Sequence, residues 1–229
     1  MKKTTLFSLF SVLVLIPATV ILGRQLPGRW FYFTGTLVIA EILLPFFFAF
    51  ESRKPNPREL VVLSVMTAIS VVSRMLFPFL PNFKPTTAVI MLTGIAFGPE
   101  AGFLTGAVSA FISNFFYGQG PWTPWQMLAF GAGGFFAGLL FHRRHHRLSH
   151  AGFAVFGFLS IMLLVGPLLD TSTVFTVLPV LTWPGAAAVY AQGLVMNLSH
   201  AIACSLTLLL AGKPFLQKLN HFQTKYGIE

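Results

Sequence analysis

The chain has 229 residues, of which 55% are hydrophobic and only 9% are charged. A soluble domain carries about 25% charged residues, so this composition excludes a water-soluble protein. The formal net charge of +9 does not indicate a nucleic-acid partner, because the basic residues lie in short loops between apolar runs. Glycine, proline and basic clusters separate these runs, which indicates an all-α integral membrane protein and not a β-barrel.

The first two apolar runs form a predicted N-terminal transmembrane helix pair, residues 1–50. Residues 1–23 begin like a signal peptide, but their apolar part is long enough to span a membrane and no small-x-small cleavage site follows. We interpret this run as a retained helix, and residues 29–50 as the second helix. The segment at residues 51–58 contains prolines and charges, and we expect it to be a cytoplasmic linker.

Six further helices are predicted between residues 59 and 212, which form the expected membrane core. Their expected bounds are residues 59–80, 86–97, 100–117, 124–142, 152–169 and 187–212. A threonine-rich segment, uncharged after Asp170, is expected to connect the last two of these helices. Residues 213–229 form a basic tail.

Glycines recur at a step of four residues at Gly94, Gly98, Gly102 and Gly106. Positions four apart lie on nearly one face of a helix, and a glycine face lets another backbone approach closely in a membrane. Pro99 interrupts the run, so we expect two helices that meet at a tight turn.

A polar and aromatic cluster follows the second of these helices. Rings that carry hydrogen-bonding groups, together with amides, suit a site for a large and partly polar molecule. The alternative is that the rings only belong to an interfacial aromatic belt. The cluster comprises Asn114, Tyr117, Gln119, Trp122, Trp125 and Gln126.

Charged and polar residues inside the predicted helices add to this cluster. Arg74 is expected near the same membrane surface, where it either lines the pocket or extends its charge to the lipid headgroups. Asn197 is expected to reach the pocket from the last helix. Glu41 is expected to be protonated or hydrogen-bonded to a neighbouring helix, in a packing role and not in a proton relay. His200 is expected to be an interhelical hydrogen-bond partner and not a ligand.

The sequence shows no nucleotide-binding loop, no catalytic triad and too few acids for a metal-carboxylate site. We therefore expect no enzyme activity, metal or cofactor, and transport would need energy from a partner.

The basic residues predict the orientation in the cell membrane. Arg24, Arg29 and Lys84 lie in loops on one side, and the positive-inside rule assigns the richer side to the cytoplasm. Both termini of this multi-pass protein should then be cytoplasmic, and the aromatic cluster should face outward. The richer side holds Lys2, Lys3, Arg53, Lys54, Arg58, Arg143, Arg144, Arg147, Lys213, Lys218 and Lys225.

Residues 59–212 resemble the substrate-binding S component of energy-coupling factor (ECF) transporters. The resemblance rests on small residues in the first core helix, on the turn GIAFGPEAGFLTGA, and on the segment SNFFYGQGPWTPWQM. The run GQGPWTPWQ looks like the subgroup associated with cobalamin and related corrinoids. The resemblance implies a six-helix core, here preceded by the N-terminal helix pair, that binds a vitamin at its outer face.

The resemblance also implies partners. Family members assemble with a membrane coupling protein and two cytosolic ATPases, and they dock through a small-residue face on the first core helix. That face corresponds here to Ser64, Ala68 and Val72. The implied mechanism is a rotation of the binding protein in the bilayer, which presents the pocket to the inside.

High-affinity uptake of cobalamin is the favoured function, with the S component as the vitamin-binding subunit of the importer. The pattern leaves pantothenate, folate, riboflavin or a pyrimidine precursor open as substrates. A membrane enzyme acting on lipid would need an acid, base or metal cluster, and a scaffold protein would leave the polar cluster unexplained. The expected substrate-binding residues are Arg74, Asn114, Tyr117, Gln119, Trp122, Trp125, Gln126 and Asn197.

Overall fold

The structure is a computed structural model that describes residues 10, 14–23, 29–52, 55–77, 79–80, 82–142 and 149–227. Within these ranges every regular element is a helix. Four helices in the same ranges are long and apolar enough to cross a membrane: Phe33–Ser52, Thr123–Phe141, His150–Val177 and Trp183–Tyr226. The protein is therefore an all-α membrane protein, as its composition predicts.

The α-helices of the described ranges are numbered in chain order, and a π-helical turn at Ile161–Val165 joins α7 to α8 in one continuous rod. Their bounds are α1 Ile16–Gly23, α2 Arg29–Ser52, α3 Pro57–Met75, α4 Thr86–Phe97, α5 Pro99–Tyr117, α6 Thr123–Phe141, α7 His150–Ser160, α8 Gly166–Val177 and α9 Trp183–Tyr226.

Helices α2, α4, α5 and α6 match their predicted bounds closely, but three other boundaries were predicted wrongly. Helix α3 ends at Met75 and not at residue 80, because the proline at position 78 disfavours helical geometry in the residue before it. Helix α8 continues to Val177, so the connection before α9 is shorter than expected. Helix α9 extends to Tyr226, which places most of the predicted tail in the helix.

The threonine side chains of α8 are accommodated within the helix, in a segment that was predicted to be a connection. The hydroxyls of Thr171 and Thr176 donate to backbone carbonyls one turn earlier, over 2.7 Å in both cases. These bonds satisfy the hydroxyl groups within the helix itself, so the polar side chains need no solvent. The composition of the segment therefore gives no reliable sign of a loop.

Much of the basic pattern that predicts the orientation lies outside the described residues. The predicted first helix, residues 1–23, is described only at residue 10 and residues 14–23. The cytoplasmic position of both termini therefore stays a prediction. The basic residues outside the description are Lys2, Lys3, Arg24, Arg53, Lys54, Arg143, Arg144 and Arg147.

Helix α4 lies at the centre of the core, and all 12 of its residues are buried. It meets α5 and α6 at glycines. A Cβ atom added to Gly102 would lie 2.6 Å from the Cα of Gly94 and 2.5 Å from the carbonyl oxygen of Gly134. Both distances are shorter than van der Waals contact, so no side chain fits between these backbones. The predicted glycine face is therefore a real contact surface.

The turn between α4 and α5 consists of Gly98 alone. Its φ of 99° lies in a region that side chains with a Cβ rarely adopt, and Pro99 begins the next helix. The predicted tight turn is confirmed. It makes α4 and α5 antiparallel neighbours, so the start of α4 and the end of α5 lie at the same end of the bundle.

Helix α2 packs directly on this core. The ring of Phe46 stacks on Phe103 of α5, with 4.0 Å between the ring centroids. Glu41 accepts a hydrogen bond of 2.6 Å from the Thr19 hydroxyl of α1, which is the interhelical bond that its position in an apolar run predicts. Helix α2 is thus joined to the core by side-chain packing, and the described part of α1 is joined to α2 by a hydrogen bond.

The glycine contact predicts a large difference between two alanine substitutions. Gly102→Ala places a methyl group against two backbones, and we expect a loss of about 1–3 kcal/mol of stability from this overpacking. The matched control is Gly212→Ala in α9, where the added Cβ would lie 3.8 Å from the nearest side-chain atom and should be tolerated. Thermal unfolding of both variants in detergent measures the difference, and equal melting temperatures would contradict the close contact.

Candidate functional site

A cavity of about 440 Å³ lies at the end of the bundle where α3 and α5 end and α4 and α6 begin. We call this the pocket end. Its walls come from α3, α6, α8, α9 and the loop before α4. The lining residues are Arg74, Asn82, Lys84, Trp122, Gln126, Phe130, Leu169, Asp170, Ser172, Thr173, Thr176, Val177, Val189, Gln192, Gly193, Met196, Asn197 and His200.

Arg74 occupies the last turn of α3 and is only 7% exposed. Its guanidinium group donates through Nη1 to the Ser113 hydroxyl and, over 3.1 Å, to Oδ1 of Asn114. Nη2 donates to Oε1 of Gln126 over 3.4 Å. Every one of these acceptors is a neutral oxygen. The buried cation is therefore solvated by α5 and α6 without a carboxylate.

Two aromatic rings complete the surroundings of this cation. The Cζ atom of Arg74 lies 4.9 Å from the centroid of the Tyr117 ring and 5.5 Å from that of Phe130. These distances allow cation–π attraction, which strengthens where water is excluded. The Tyr117 hydroxyl also donates to the Arg74 carbonyl over 2.9 Å, so the ring holds both the backbone and the side chain.

A chain of hydrogen bonds fixes the polar cluster behind Arg74. The amide nitrogen of Asn114 donates to the Thr123 hydroxyl over 3.1 Å, and that hydroxyl lies 2.9 Å from Oε1 of Gln119. Gln119 in turn donates to the carbonyl of Phe111. The connection between α5 and α6 is thereby tied to the residues that orient the guanidinium group.

The loop before α4 brings a second cation to the cavity. Asn82 has a φ of 54°, a left-handed conformation that asparagine adopts readily, and its Oδ1 accepts a hydrogen bond of 3.0 Å from Lys84. Burial, and then the nearby charge of Arg74, lower the pKa of Lys84 to about 8. Lys84 therefore loses its charge as the pH rises through about 8.

The opposite wall is built from α8 and α9. Asn197 donates to the Asp170 carboxylate over 2.7 Å, and Gly166, just after the π-helical turn, leaves room for the Asn197 side chain. His200 lies 2.8 Å from the Thr87 hydroxyl of α4. This contact confirms the interhelical hydrogen bond expected for His200, although the same side chain also lines the cavity.

The structure places four of the predicted substrate-binding residues in the cavity wall: Arg74, Trp122, Gln126 and Asn197. Asn114 and Tyr117 contact Arg74 but are not among the residues that line the cavity, and Gln119 donates to a carbonyl of α5. Trp125 does not line the cavity. It is buried on another face of α6, where its ring lies 5.5 Å from that of Phe175. Successive residues of a helix point about 100° apart, so Trp125 does not share the direction of its neighbour Gln126.

Sequence reasoning missed Lys84, Asp170 and His200 as cavity residues. Lys84 was used only to predict the orientation of the protein in the membrane. A lone cation between two apolar helices was the feature that could have indicated a cavity residue. Asp170 and His200 are separated by a long stretch of sequence, and only the antiparallel packing of α8 and α9 brings both to one cavity.

A second cavity, an apolar groove of about 420 Å³, lies between α3 and α5. It includes all three predicted docking residues, Ser64, Ala68 and Val72. Leu104 and Val108 form part of its opposite wall, and Val72 is 54% exposed. The groove is separate from the polar cavity, since the two share no lining residue.

The described residues contain no group of three or more histidine, cysteine, aspartate or glutamate side chains that could hold a metal ion. The polar cavity offers hydrogen-bond donors, two cations, one carboxyl group and apolar surface, which is an arrangement for binding.

Comparison with known proteins assigns the chain to a family. Residues 54–218 match the family model described as "ECF-type riboflavin transporter, S component". The chain belongs to this family. The resemblance seen in the sequence is thus confirmed at the level of an ECF S component, a transport subunit, and helices α1 and α2 lie before the matched region.

One curated relative of this S component is the "Folate transporter FolT" of Streptococcus mutans serotype c (strain ATCC 700610 / UA159). The two chains are 28% identical over 99 residues, which cover 42% of this chain and 53% of the relative. The chain therefore spans about half the length of the curated relative. No solved structure matches the chain.

The hydrogen bonds of Arg74 predict that Asn114 supports the S component. Asn114→Ala removes an acceptor from a buried cation and a donor from Thr123, so we expect a loss of about 1–3 kcal/mol of stability. The control is Thr224→Ala, which removes an exposed hydroxyl that donates to the Asn220 carbonyl of its own helix. Unfolding curves of the two purified variants test the difference, and a melting temperature of Asn114→Ala equal to that of the control would contradict this role.

Proposed function

We propose that this S component captures a water-soluble vitamin in the cavity at the pocket end. The observation that carries the proposal is the buried guanidinium of Arg74 in the wall of a cavity of about 440 Å³. Burying a cation in a membrane protein is costly, and such groups mark functional sites by default. A scaffold protein would need neither the cation nor the cavity, and the described residues offer no catalytic cluster for a lipid-modifying enzyme.

The size of the cavity supports a vitamin built on a fused ring system. Ligand sites commonly have volumes of about 300–1,000 Å³, and a flavin or a pteridine would fit inside a cavity of about 440 Å³. The family description names riboflavin and the curated relative is named for folate. We therefore favour a vitamin of this size.

Cobalamin, predicted from the run GQGPWTPWQ, is the second candidate. A corrinoid is much bulkier than a flavin, so only a part of it could enter the cavity while the rest extended past the loops at the pocket end. Two residues of the run, Trp122 and Gln126, line the cavity, which is the observation that favours this substrate.

We further propose that the pocket end faces the outside and that the importer contains a membrane coupling protein and two cytosolic ATPases. The apolar groove between α3 and α5 supports the docking of the coupling protein at Ser64, Ala68 and Val72. Small side chains let another helix approach closely in a membrane, and Ala68 lies in this groove with an exposed surface.

Two neighbouring residues of α9 provide a test of the vitamin site. Met196 lines the cavity, whereas Val195 is 71% exposed and does not. We expect Met196→Trp to weaken binding of the vitamin by about 100-fold, or about 2.7 kcal/mol, because the indole fills the cavity. Val195→Trp adds the same group outside the cavity and should bind as the wild type does.

The measurement is calorimetric titration of detergent-purified protein with riboflavin, folate and cobalamin. Tight binding of one vitamin to the wild type and to Val195→Trp, with weak binding to Met196→Trp, supports the proposed site. Equal affinities of all three proteins would place the site elsewhere. If no vitamin binds to folded wild-type protein, the proposed function is wrong.

Two arginine substitutions on α3, one inside the groove and one outside it, test the docking surface. Ala68→Arg places a cation in the apolar groove, and we expect the complex with the coupling protein and the ATPases to be lost. Val65→Arg carries the same charge on the same helix, outside the groove, and should assemble. Co-purification from membranes measures assembly, and survival of the Ala68→Arg complex would exclude this face.

A further inference from the structure

We propose that the cavity recognises an anionic group of its ligand, a carboxylate or a phosphate, between Arg74 and Lys84. This inference rests on the proposed function, because it assigns chemistry to the ligand of the same cavity. It adds a requirement that neither the family description nor the name of the curated relative states.

The first observation is the environment of Arg74. Its guanidinium group is buried, yet among the described residues all its hydrogen-bond acceptors are neutral and its Nε atom has no acceptor. Neutral oxygens hold the cation in place but leave its charge uncompensated. A buried charge is stabilised best by an opposite charge with additional hydrogen bonds, and the described residues provide no ion pair for it.

The second observation is the position of Lys84. Its Nζ atom lies 5.6 Å from the centroid of the Tyr117 ring, the same ring that lies 4.9 Å from the Cζ atom of Arg74. Its hydrogen-bond acceptor is the neutral Oδ1 of Asn82. Two cations thus converge beside one ring at the same cavity, although like charges repel. Their repulsion and the burial of Lys84 favour a ligand that brings a negative charge.

Asp170 supplies the negative charge found on the opposite wall. Its carboxylate is bonded to Asn197, and no ion pair joins it to Arg74 or Lys84 in the part of the chain that the structure describes. Even with Asp170 ionised, the described lining residues provide two cations against one anion and so a positive charge at pH 7. The remaining titratable group in the wall, His200, is bonded to Thr87 and supplies no further negative charge.

The rest of the cavity shows how such a ligand would lie. Apolar surface from Phe130, Leu169 and Met196 faces the same space as the two cations, and this surface suits the ring system of a vitamin. Arginine and lysine both form charge-assisted hydrogen bonds to carboxylates and phosphates. The ligand would therefore place its rings on the apolar wall and its anionic group at the side of Arg74 and Lys84.

Matched pairs of compounds test this inference by calorimetric titration of the full chain in detergent at about pH 7. The pairs are riboflavin and flavin mononucleotide, pteroate and folate, and cobinamide and cobalamin. Within each pair the second compound carries more anionic groups. We expect the more anionic member of the bound pair to bind at least about tenfold more tightly. The flavin and corrinoid pairs test a phosphate, and the folate pair tests a carboxylate.

Substitutions of Lys84 assign the preference to the proposed group. Lys84→Gln should reduce the preference to within about twofold, whereas Lys84→Arg should retain it because the charge remains. The control is Lys218→Gln, which removes a cation from the far part of α9 and should leave the preference unchanged. In the wild type the preference should also fall as the pH rises through about 8, since Lys84 is then deprotonated.

The outcomes separate the two levels of the proposal. If the protein binds both members of a pair with equal affinity, the proposed recognition of an anionic group is wrong, but the proposed vitamin site is not contradicted. If Lys84→Gln keeps the full preference for the more anionic compound, the assignment of this preference to Lys84 is wrong. Absence of binding by all six compounds to folded wild-type protein overturns the vitamin site and the anionic group together.

Discussion

The structure depends on the contact between the backbones of α4, α5 and α6. Gly94, Gly102 and Gly134 meet where no side chain fits. Helices α3 and α9 also contact α4, and all of its residues are buried. Apolar side chains gain little by leaving lipid for protein, so helices in a membrane associate through close packing and hydrogen bonds. The glycines allow this close packing, and they also set the register of the three helices.

That register determines the polar site. Because α5 and α6 are held backbone to backbone, Ser113 and Asn114 of one helix and Gln126 of the other surround the guanidinium group of Arg74. Such oxygens lower the cost of burying the cation, because they accept hydrogen bonds from its guanidinium group. The close contact in the middle of the bundle and the cavity at its end are therefore parts of one arrangement, and α8 and α9 close the cavity from the other side.

The sequence predicted the helical class, the glycine face and the turn at Gly98, because these follow from hydrophobic periodicity and from the steric properties of glycine and proline. It also predicted Arg74, Gln126 and Asn197 as neighbours of one cavity. It failed where tertiary packing decides. Trp125 lies next to Gln126 in sequence but on another helix face. The threonines after Asp170 have the composition of a loop, yet their hydroxyls bond within α8.

The position of the bound ligand tests the proposed binding site most directly. An experimental structure of the purified S component in complex with the vitamin that we propose it binds would show it. We expect the vitamin to lie between Arg74 and Lys84 on one side and Asp170 and Asn197 on the other, with its rings against Phe130. A ligand bound outside this cavity, for example in the groove that contains Ala68, would show that the proposed site is wrong.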